Sequence, residues 1–155
     1  MKKYIALILA LIFTLSLASC GAKPNDENLA EEVKPNKWGV TLTAENVTSK
    51  GLTLVCKQSG GEDVAELTTG SPYVIEKLEG EDWVKVPYAP QEYDVVWNMM
   101  AYLIQAENTT KWDVNFEWLY GELPAGEYRI GKEISNFRGP GENEKETLYA
   151  RFTVK

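Results

Sequence analysis

Few residue patterns in this sequence could support catalysis. It contains no histidine, which excludes Ser-His-Asp triads, Cys-His pairs and His-ligated metal sites. Paired carboxylates can serve a glycosidase and oxygen-rich turns can bind calcium, and acidic residues cluster at 79–82 and at 142–146. Those clusters lie in predicted turns, where solvated charges are common, and no spaced calcium-loop pattern occurs. We therefore expect no catalytic residue, no metal site, no cofactor and no enzyme activity.

The most specific chemical motif ends at Cys20. A short basic segment at residues 1–3 precedes an almost unbroken apolar run at residues 4–17, which has the length and flanks of a cleavable export signal. The tetrapeptide Leu-Ala-Ser-Cys that follows resembles the bacterial lipobox. That resemblance implies cleavage before Cys20 and attachment of acyl chains such as palmitate to its sulfur, which would anchor the chain stably. We predict a signal peptide at 1–19 and a lipoprotein on the extracytoplasmic face of the cell membrane.

Composition and charge restrict the partners of the remaining chain. Residues 20–37 are polar, acidic and contain two prolines, so they are predicted to form a flexible tether after the lipidated cysteine. The formal net charge is −7, and removal of Lys2 and Lys3 with the signal leaves 14 basic against 23 acidic residues. An acidic chain does not fit nucleic acid, which is bound by basic patches. It also argues against binding an anionic lipid surface through protein charge.

Period-two alternation of apolar and polar residues runs through residues 38–155, with no helical period. This pattern predicts one all-β domain, an antiparallel sandwich of about seven strands. The predicted strands cover residues 38–44, 52–57, 73–78, 83–86, 112–118, 128–134 and 148–154. Residues 91–110 are apolar without clean alternation, and a long loop packed on the sandwich, a short helix and an irregular strand all remain open.

The best-marked turn lies between the strands at 112–118 and 128–134. Leu123, Gly126 and Tyr128 form a Leu-x-x-Gly-x-Tyr sequence. This arrangement matches a tyrosine corner, in which the leucine closes the end of the sandwich, the glycine permits a tight turn, and the phenol hydrogen-bonds to backbone a few residues upstream. We predict a structural role for these three residues.

Three segments resemble the signature of a bacterial immunoglobulin-like domain that is common in small lipoproteins. They are WLYGELPAGEYRI at 118–130, GLTL at 51–54 and WVKVP at 83–87. The resemblance covers about residues 38–155 and implies an immunoglobulin-like sandwich. It implies no defined activity or binding residue.

Cys56 lies on the presumed second strand, where antibody domains place the first cysteine of their disulfide. The second cysteine would stand two residues after the corner tyrosine, and Ile130 occupies that position. If Cys20 is lipidated, Cys56 is the one remaining thiol, so no intrachain disulfide can form. We expect Cys56 to be buried against Ile130 as a small apolar group. A reactive or intermolecularly paired Cys56 is the alternative.

The five tryptophans suggest where a ligand could bind. Alternation places Trp38, Trp112 and Trp118 on inward faces, whereas Trp83 and Trp97 are less constrained. If the latter two were exposed and coplanar, with Tyr149 or Tyr93 nearby, they could stack on sugar rings. An exposed aromatic patch would instead favour a protein partner.

Three functions remain open on the sequence alone. The first is a non-catalytic binding or accessory module of the cell envelope, with an envelope protein or a glycan as partner. The second is a carbohydrate-binding module that uses Trp83 and Trp97. The third is an inhibitor of a secreted enzyme that acts through the predicted long loop at 87–110.

Overall fold

The computed structural model describes residues 33–155, which form a sandwich of two antiparallel sheets. Every predicted strand overlaps an observed one, so the prediction of an all-β sandwich is confirmed. The elements in chain order are β1 Val40–Glu45, β2 Gly51–Gln58, β3 Glu66–Thr69, β4 Val74–Glu79, β5 Asp82–Lys85, β6 Tyr102–Leu103, β7 Asn108–Asn115, α1 Glu117–Tyr120, β8 Gly126–Gly139 and β9 Glu142–Val154.

The two sheets differ in width. The smaller sheet has the order β1-β2-β7, and the larger has the order β5-β4-β8-β3-β6, with β9 on the other side of β8. β3 and β4 pair with successive parts of β8, while β6 and β5 pair with β3 and β4. β3 and β4 share one strand position and β5 and β6 share another, so the nine strands occupy seven positions; β3 and β6 are short strands that the sequence did not predict.

Apolar side chains from both sheets fill the space between the layers, because alternation gives each strand one inward face. The larger fully buried side chains include Trp38, Leu42, Leu54, Ile75, Phe116, Leu119, Ile130 and Ile134. Among the described residues, all those that are buried lie between positions 38 and 154. They fall in one compact unit, Glu32–Lys155.

Asn36 and Lys37, at the end of the predicted tether, already contact the sandwich. The side-chain oxygen of Asn36 accepts hydrogen bonds from the amides of Trp38 at 3.1 Å and Val40 at 2.9 Å. Its amide group donates to Glu146 at 2.9 Å, and Lys37 pairs with a neighbouring acid of β9. The chain is thus fixed to the domain two residues before the predicted boundary.

The strand position shared by β3 and β4 contains a bulge. Between Thr69 and Val74 the chain advances five residues, whereas the paired β8 advances three, from Ile134 to Gly131. Two extra residues are therefore accommodated outside the ladder, which locally bends the strand. The adjacent strand, formed by β5 and β6, is interrupted at the same place. β5 ends opposite Glu76, and β6 begins opposite Thr69.

Lys132 holds the bulge in place. Its buried ammonium donates to the carbonyl oxygens of Gly70, Ser71 and Pro72, the last two at 3.2 and 3.3 Å. Burial lowers the pKa of Lys132 to about 8, while the three carbonyl acceptors favour the charged form. The ammonium is therefore the main form at neutral pH. It satisfies backbone groups that the interrupted ladder leaves without strand partners.

The strand predicted at 112–118 is wrong at its end. β7 stops at Asn115, and the next residues form the single helical turn α1. The turn directs Phe116 and Leu119 into the core, where both are fully buried. Trp118 consequently points outward with 48% of its surface exposed, so its prediction as a core residue is corrected.

Residues 86–101, hereafter the long loop, connect β5 to β6 without a regular strand or helix. Of the three possibilities left open for residues 91–110, the structure shows a loop that packs on the core through Val95 and Trp97, followed by the short β6 and the start of β7.

The predicted tyrosine corner is present. The buried Tyr128 hydroxyl donates to the Pro124 carbonyl oxygen at 2.9 Å, and its ring stacks on Phe152 with centroids 5.6 Å apart. Leu123 is buried beside it, and its amide donates to the Ser49 carbonyl at 2.8 Å. Burial raises the pKa of the Tyr128 phenol, which keeps the hydroxyl proton available as a donor.

Gly126 begins β8 beside the corner tyrosine. A Cβ at this position would lie 3.4 Å from a carbon of the Tyr128 ring and 3.4 Å from Cε of Lys77. These are ordinary van der Waals distances, so glycine is favoured here by its backbone φ of 158° and not by lack of space.

Cys56 is a free, fully buried thiol, so its predicted burial is confirmed. It lies on β2 of the smaller sheet, and Ile130 lies on β8 of the larger sheet in the same buried apolar cluster. Burial raises the pKa of the Cys56 thiol to about 11, because the thiolate would lose its hydration.

We expect Tyr128→Phe to reduce the free energy of unfolding by about 1–3 kcal/mol, because it leaves the Pro124 carbonyl without its donor. Urea unfolding followed by tryptophan fluorescence measures this change. Tyr93→Phe, which removes a hydroxyl from a side chain that is 83% exposed, is the matched control and should have no effect. Equal stability of the two variants would contradict a stabilising role for the corner.

We expect Cys56 in residues 33–155 to react with Ellman's reagent at least about 1,000-fold more slowly under native conditions than in concentrated urea, because the thiol becomes accessible only when the structure opens. The control carries Cys56→Ala together with Lys57→Cys, which moves the thiol to an exposed neighbouring position. Native-state labelling of Cys56 as fast as that of the control would show that it is not buried in solution.

Candidate functional site

The long loop is fixed to α1 at its beginning. The amide of Ala89 donates to the Leu119 carbonyl at 2.9 Å. The side-chain amide of Gln91 donates to the carbonyls of Ala89 at 3.0 Å and Trp118 at 3.2 Å. These bonds give the loop a defined path across the open side of the sandwich, from the larger sheet to the end of the smaller one.

Aromatic rings hold the middle of the loop. Trp97 packs edge-to-face against Tyr73, with centroids 5.2 Å apart, and against Trp118, with centroids 5.5 Å apart. Tyr88 makes a similar contact with the buried Tyr120 at 5.2 Å. The rings connect the loop to the core, so that its other apolar side chains are presented on an ordered base.

Four apolar side chains of the loop face solvent. Val96 is 83% exposed and Met99 is 99% exposed, and Tyr93 and Met100 are also more than half exposed. Together with Trp118 they form a set that we call the loop surface: Tyr93, Val96, Met99, Met100 and Trp118. Isolated exposed apolar residues are ordinary, whereas several on one loop make that loop a candidate interaction site.

A groove of about 540 Å3 lies within the loop surface, between Trp118 and residues 90–96. Glu92 and Asp94 contribute its charged groups, and Val95 and Tyr93 its apolar walls. Residues 86–101 contain no lysine or arginine. The long loop is therefore apolar and acidic.

A second groove of about 320 Å3, hereafter the edge groove, follows β7 where it faces the larger sheet. It is lined by residues that include Tyr73, Tyr102, Trp112, Val114, Trp118 and Lys132. Trp118 lines both grooves and separates them. The bulge at residues 70–72 and its lysine thus form part of the wall of a surface cleft.

The structure places Trp83 and Trp97 in different clusters, so they do not form the coplanar pair on which the carbohydrate hypothesis was based. Both are partly buried. Trp97 lies among the rings of the long loop, whereas Trp83 lies on the hairpin of β4 and β5 under the guanidinium of Arg129, 4.7 Å from its ring centroid. Tyr149 lies near Trp83, because its ring contacts the same guanidinium at 4.0 Å.

Arg129 completes this second cluster through an ion pair. Its guanidinium, held between the Trp83 and Tyr149 rings, contacts the Glu76 carboxylate at 2.5 Å. Arg151 lies next to Arg129 in register and stacks on Trp83 at 5.4 Å. Arginine side chains therefore stack on the Trp83 and Tyr149 rings. This arrangement favours a structural role for the two rings on the outer face of the larger sheet.

The remaining predicted residues separate into two groups. Leu123, Gly126 and Tyr128 lie at the corner, and none of them lines either groove. Cys20 lies outside the described residues, as do the predicted signal peptide and most of the tether. Sequence reasoning missed Trp118 as a surface residue and gave no prominence to Val96 and Met99.

Within residues 33–155, no group of three or more cysteine, aspartate or glutamate side chains is arranged to hold a metal ion. In the same range, no helix has both the length and the apolar character needed to cross a membrane.

Comparison with known proteins gives one match. A family model described as a bacterial Ig-like domain matches residues 35–153. No curated protein and no solved structure matches the chain.

Proposed function

The chain belongs to the bacterial Ig-like domain family, and we propose that it is a membrane-anchored lipoprotein whose domain serves as a non-catalytic binding module of the cell envelope. The family match covers nearly all of the sandwich and agrees with the immunoglobulin-like fold that the sequence predicts. The observation that supports binding most directly is the loop surface, which exposes several large apolar side chains on a loop attached by hydrogen bonds and ring contacts.

The proposed anchor is the lipid on Cys20. Its support is the basic start, the apolar run and the lipobox-like tetrapeptide of residues 1–20. After cleavage, about 15 residues would separate the lipid from Asn36, the first residue that the sandwich fixes by hydrogen bonds. This spacing would hold the domain close to the extracytoplasmic face of the membrane and leave it free to reorient.

The chemistry of the loop surface favours a protein partner. Met99 and Val96 offer flexible and branched apolar contacts without a polar group, and methionine adapts to irregular partner surfaces. Glu92 and Asp94 add negative charge at the groove, and no basic residue of the loop offsets it. The complementary surface is an apolar patch bordered by lysine or arginine, since opposite charges at the rim guide association.

A glycan remains a second candidate because of one observation, the partly exposed Trp118 beside the carboxylates of Glu92 and Asp94 in one groove. An indole face with adjacent hydrogen-bond acceptors can hold a sugar ring. This places the carbohydrate hypothesis on Trp118 and removes it from Trp83. Inhibition of a secreted enzyme would use the same long loop and is a special case of protein binding.

We expect the full chain, expressed in a bacterium supplied with labelled palmitate, to incorporate the label at Cys20. Cys20→Ala should abolish incorporation, because the acceptor sulfur is lost, whereas Cys56→Ala should leave it unchanged. The measurement is label per protein after electrophoresis, together with the mass of the processed chain. Label that persists in Cys20→Ala would contradict anchoring at this residue.

We expect the double variant Val96→Ser/Met99→Ser to bind roughly tenfold less to bacterial envelopes than the unchanged domain, because a few central apolar contacts carry most of the binding energy at such surfaces. Labelled residues 33–155 are titrated onto envelopes from cells that lack the protein. Val84→Ser/Phe137→Ser is the matched control, since it removes two exposed apolar side chains, 43% and 41% exposed, outside the loop surface.

Pretreatment of the envelopes then distinguishes the two ligand classes. Protease digestion should abolish binding if the partner is a protein, and periodate oxidation should abolish it if the partner is a glycan. Equal binding by the loop variant and its control would contradict the assignment of the loop surface as the binding site.

A further inference from the structure

β7 is an edge strand with an available ladder. It pairs with β2 on one side and, within residues 33–155, with no strand on the other. The amide of Phe116 donates toward β2, to the Lys50 carbonyl at 3.0 Å, while the Asn115 carbonyl accepts from the Tyr73 hydroxyl on the opposite side. Backbone groups alternate in direction along an antiparallel strand. Those directed to the open edge are therefore the groups of Thr109, Lys111 and Asp113.

The inward face of β7 is also incompletely covered. Trp112 and Val114 are only partly buried, whereas the inward side chains of β1 and β2 at Val40, Leu54 and Cys56 are completely buried. The edge groove lies directly beside Trp112 and Val114. A strand added to the edge would both complete the backbone ladder and cover these apolar side chains, as in β-augmentation.

The charges on the outward face indicate which strand fits. Lys111 and Asp113 are two residues apart and have opposite sign. In an antiparallel pair of β7 strands with Trp112 at the centre, Lys111 of each copy lies opposite Asp113 of the other. A register centred on Lys111 or on Asp113 would instead place like charges opposite each other, which is unfavourable.

We propose that a second copy of this chain is the occupant, joined through antiparallel β7 strands about a twofold axis at Trp112. The two three-stranded sheets become one continuous six-stranded sheet, with the Trp112 side chains adjacent at its centre. Such charges can also protect an edge from pairing. Charges of one sign protect an edge best, because they repel the same charges on a second copy. The alternating charges of β7 instead attract those of a second copy.

The inference goes beyond the proposed function and rests on different residues, apart from Trp118, which borders both the loop surface and the edge groove. Dimerisation would place two loop surfaces on one particle, so that a partner with repeated sites would be bound with greater avidity than by a single domain. Loss of dimerisation would leave the single loop surface intact, and loss of envelope binding would leave the β7 edge intact.

Sedimentation equilibrium of residues 33–155, from micromolar to millimolar concentration, tests the proposal. The unchanged domain should show a monomer–dimer equilibrium. Lys111→Asp and Asp113→Lys should each weaken it at least about tenfold, because each variant replaces two attractive cross-strand pairs by two repulsive ones. A mixture of the two variants should restore association, since each cross-strand pair then joins an aspartate of the first variant to a lysine of the second.

The matched control is Lys145→Glu, which breaks an exposed ion pair with Glu133 on the larger sheet and should leave association unchanged. Circular dichroism verifies that each variant is folded, and Val96→Ser/Met99→Ser should dimerise normally. A domain that remains monomeric at all concentrations would overturn the proposal. So would a dimer that both charge variants leave unchanged, or a mixture that associates no better than its components.

Discussion

The arrangement of this domain depends on the ammonium group that Lys132 places among the carbonyls of the bulge. Without a donor there, a strand that gains two residues against β8 would leave the carbonyl groups of residues 70–72 without a hydrogen-bond partner in the sheet. With it, the larger sheet continues on both sides of the interruption. The neighbouring strand position can then open between Lys85 and Tyr102, and the long loop leaves the sheet at this opening. A buried charge thus makes possible the exposed loop that carries the proposed function.

Local patterns in the sequence determine much of the observed fold. Strands with one buried face are legible because their apolar residues recur at every second position, as on β2 and at the end of β9. The corner is legible because the Tyr128 hydroxyl binds a carbonyl only four residues upstream. Burial of Cys56 follows from the same alternation. In each case the residues that make the interaction are close in the chain, or the pattern reports directly on burial.

The features that could not be predicted depend on contacts between distant segments. The bulge requires the register of β8, 62 residues after Gly70, and β3 and β6 are too short to show a period. The alternation of apolar and polar residues continues to Trp118. The strand ends earlier, however, where the Lys50 carbonyl accepts hydrogen bonds from the amides of Phe116 and Glu117. The helical turn that exposes this tryptophan is therefore not visible in the pattern. Val96 and Met99 belong to an apolar run that resembles core sequence. Their exposure is decided by how Trp97 packs on Tyr73 and Trp118.

The replacement of a cysteine pair by Cys56 and Ile130 has a consequence for the redox conditions under which the domain can fold. In a domain closed by apolar packing, no covalent bond must be oxidised for the core to form, and none can be reduced to open it. Its folding equilibrium is therefore independent of the redox potential of the compartment. The same structure can form in a reducing cytoplasm or an oxidising exterior, and it requires no oxidase or isomerase to reach its native state.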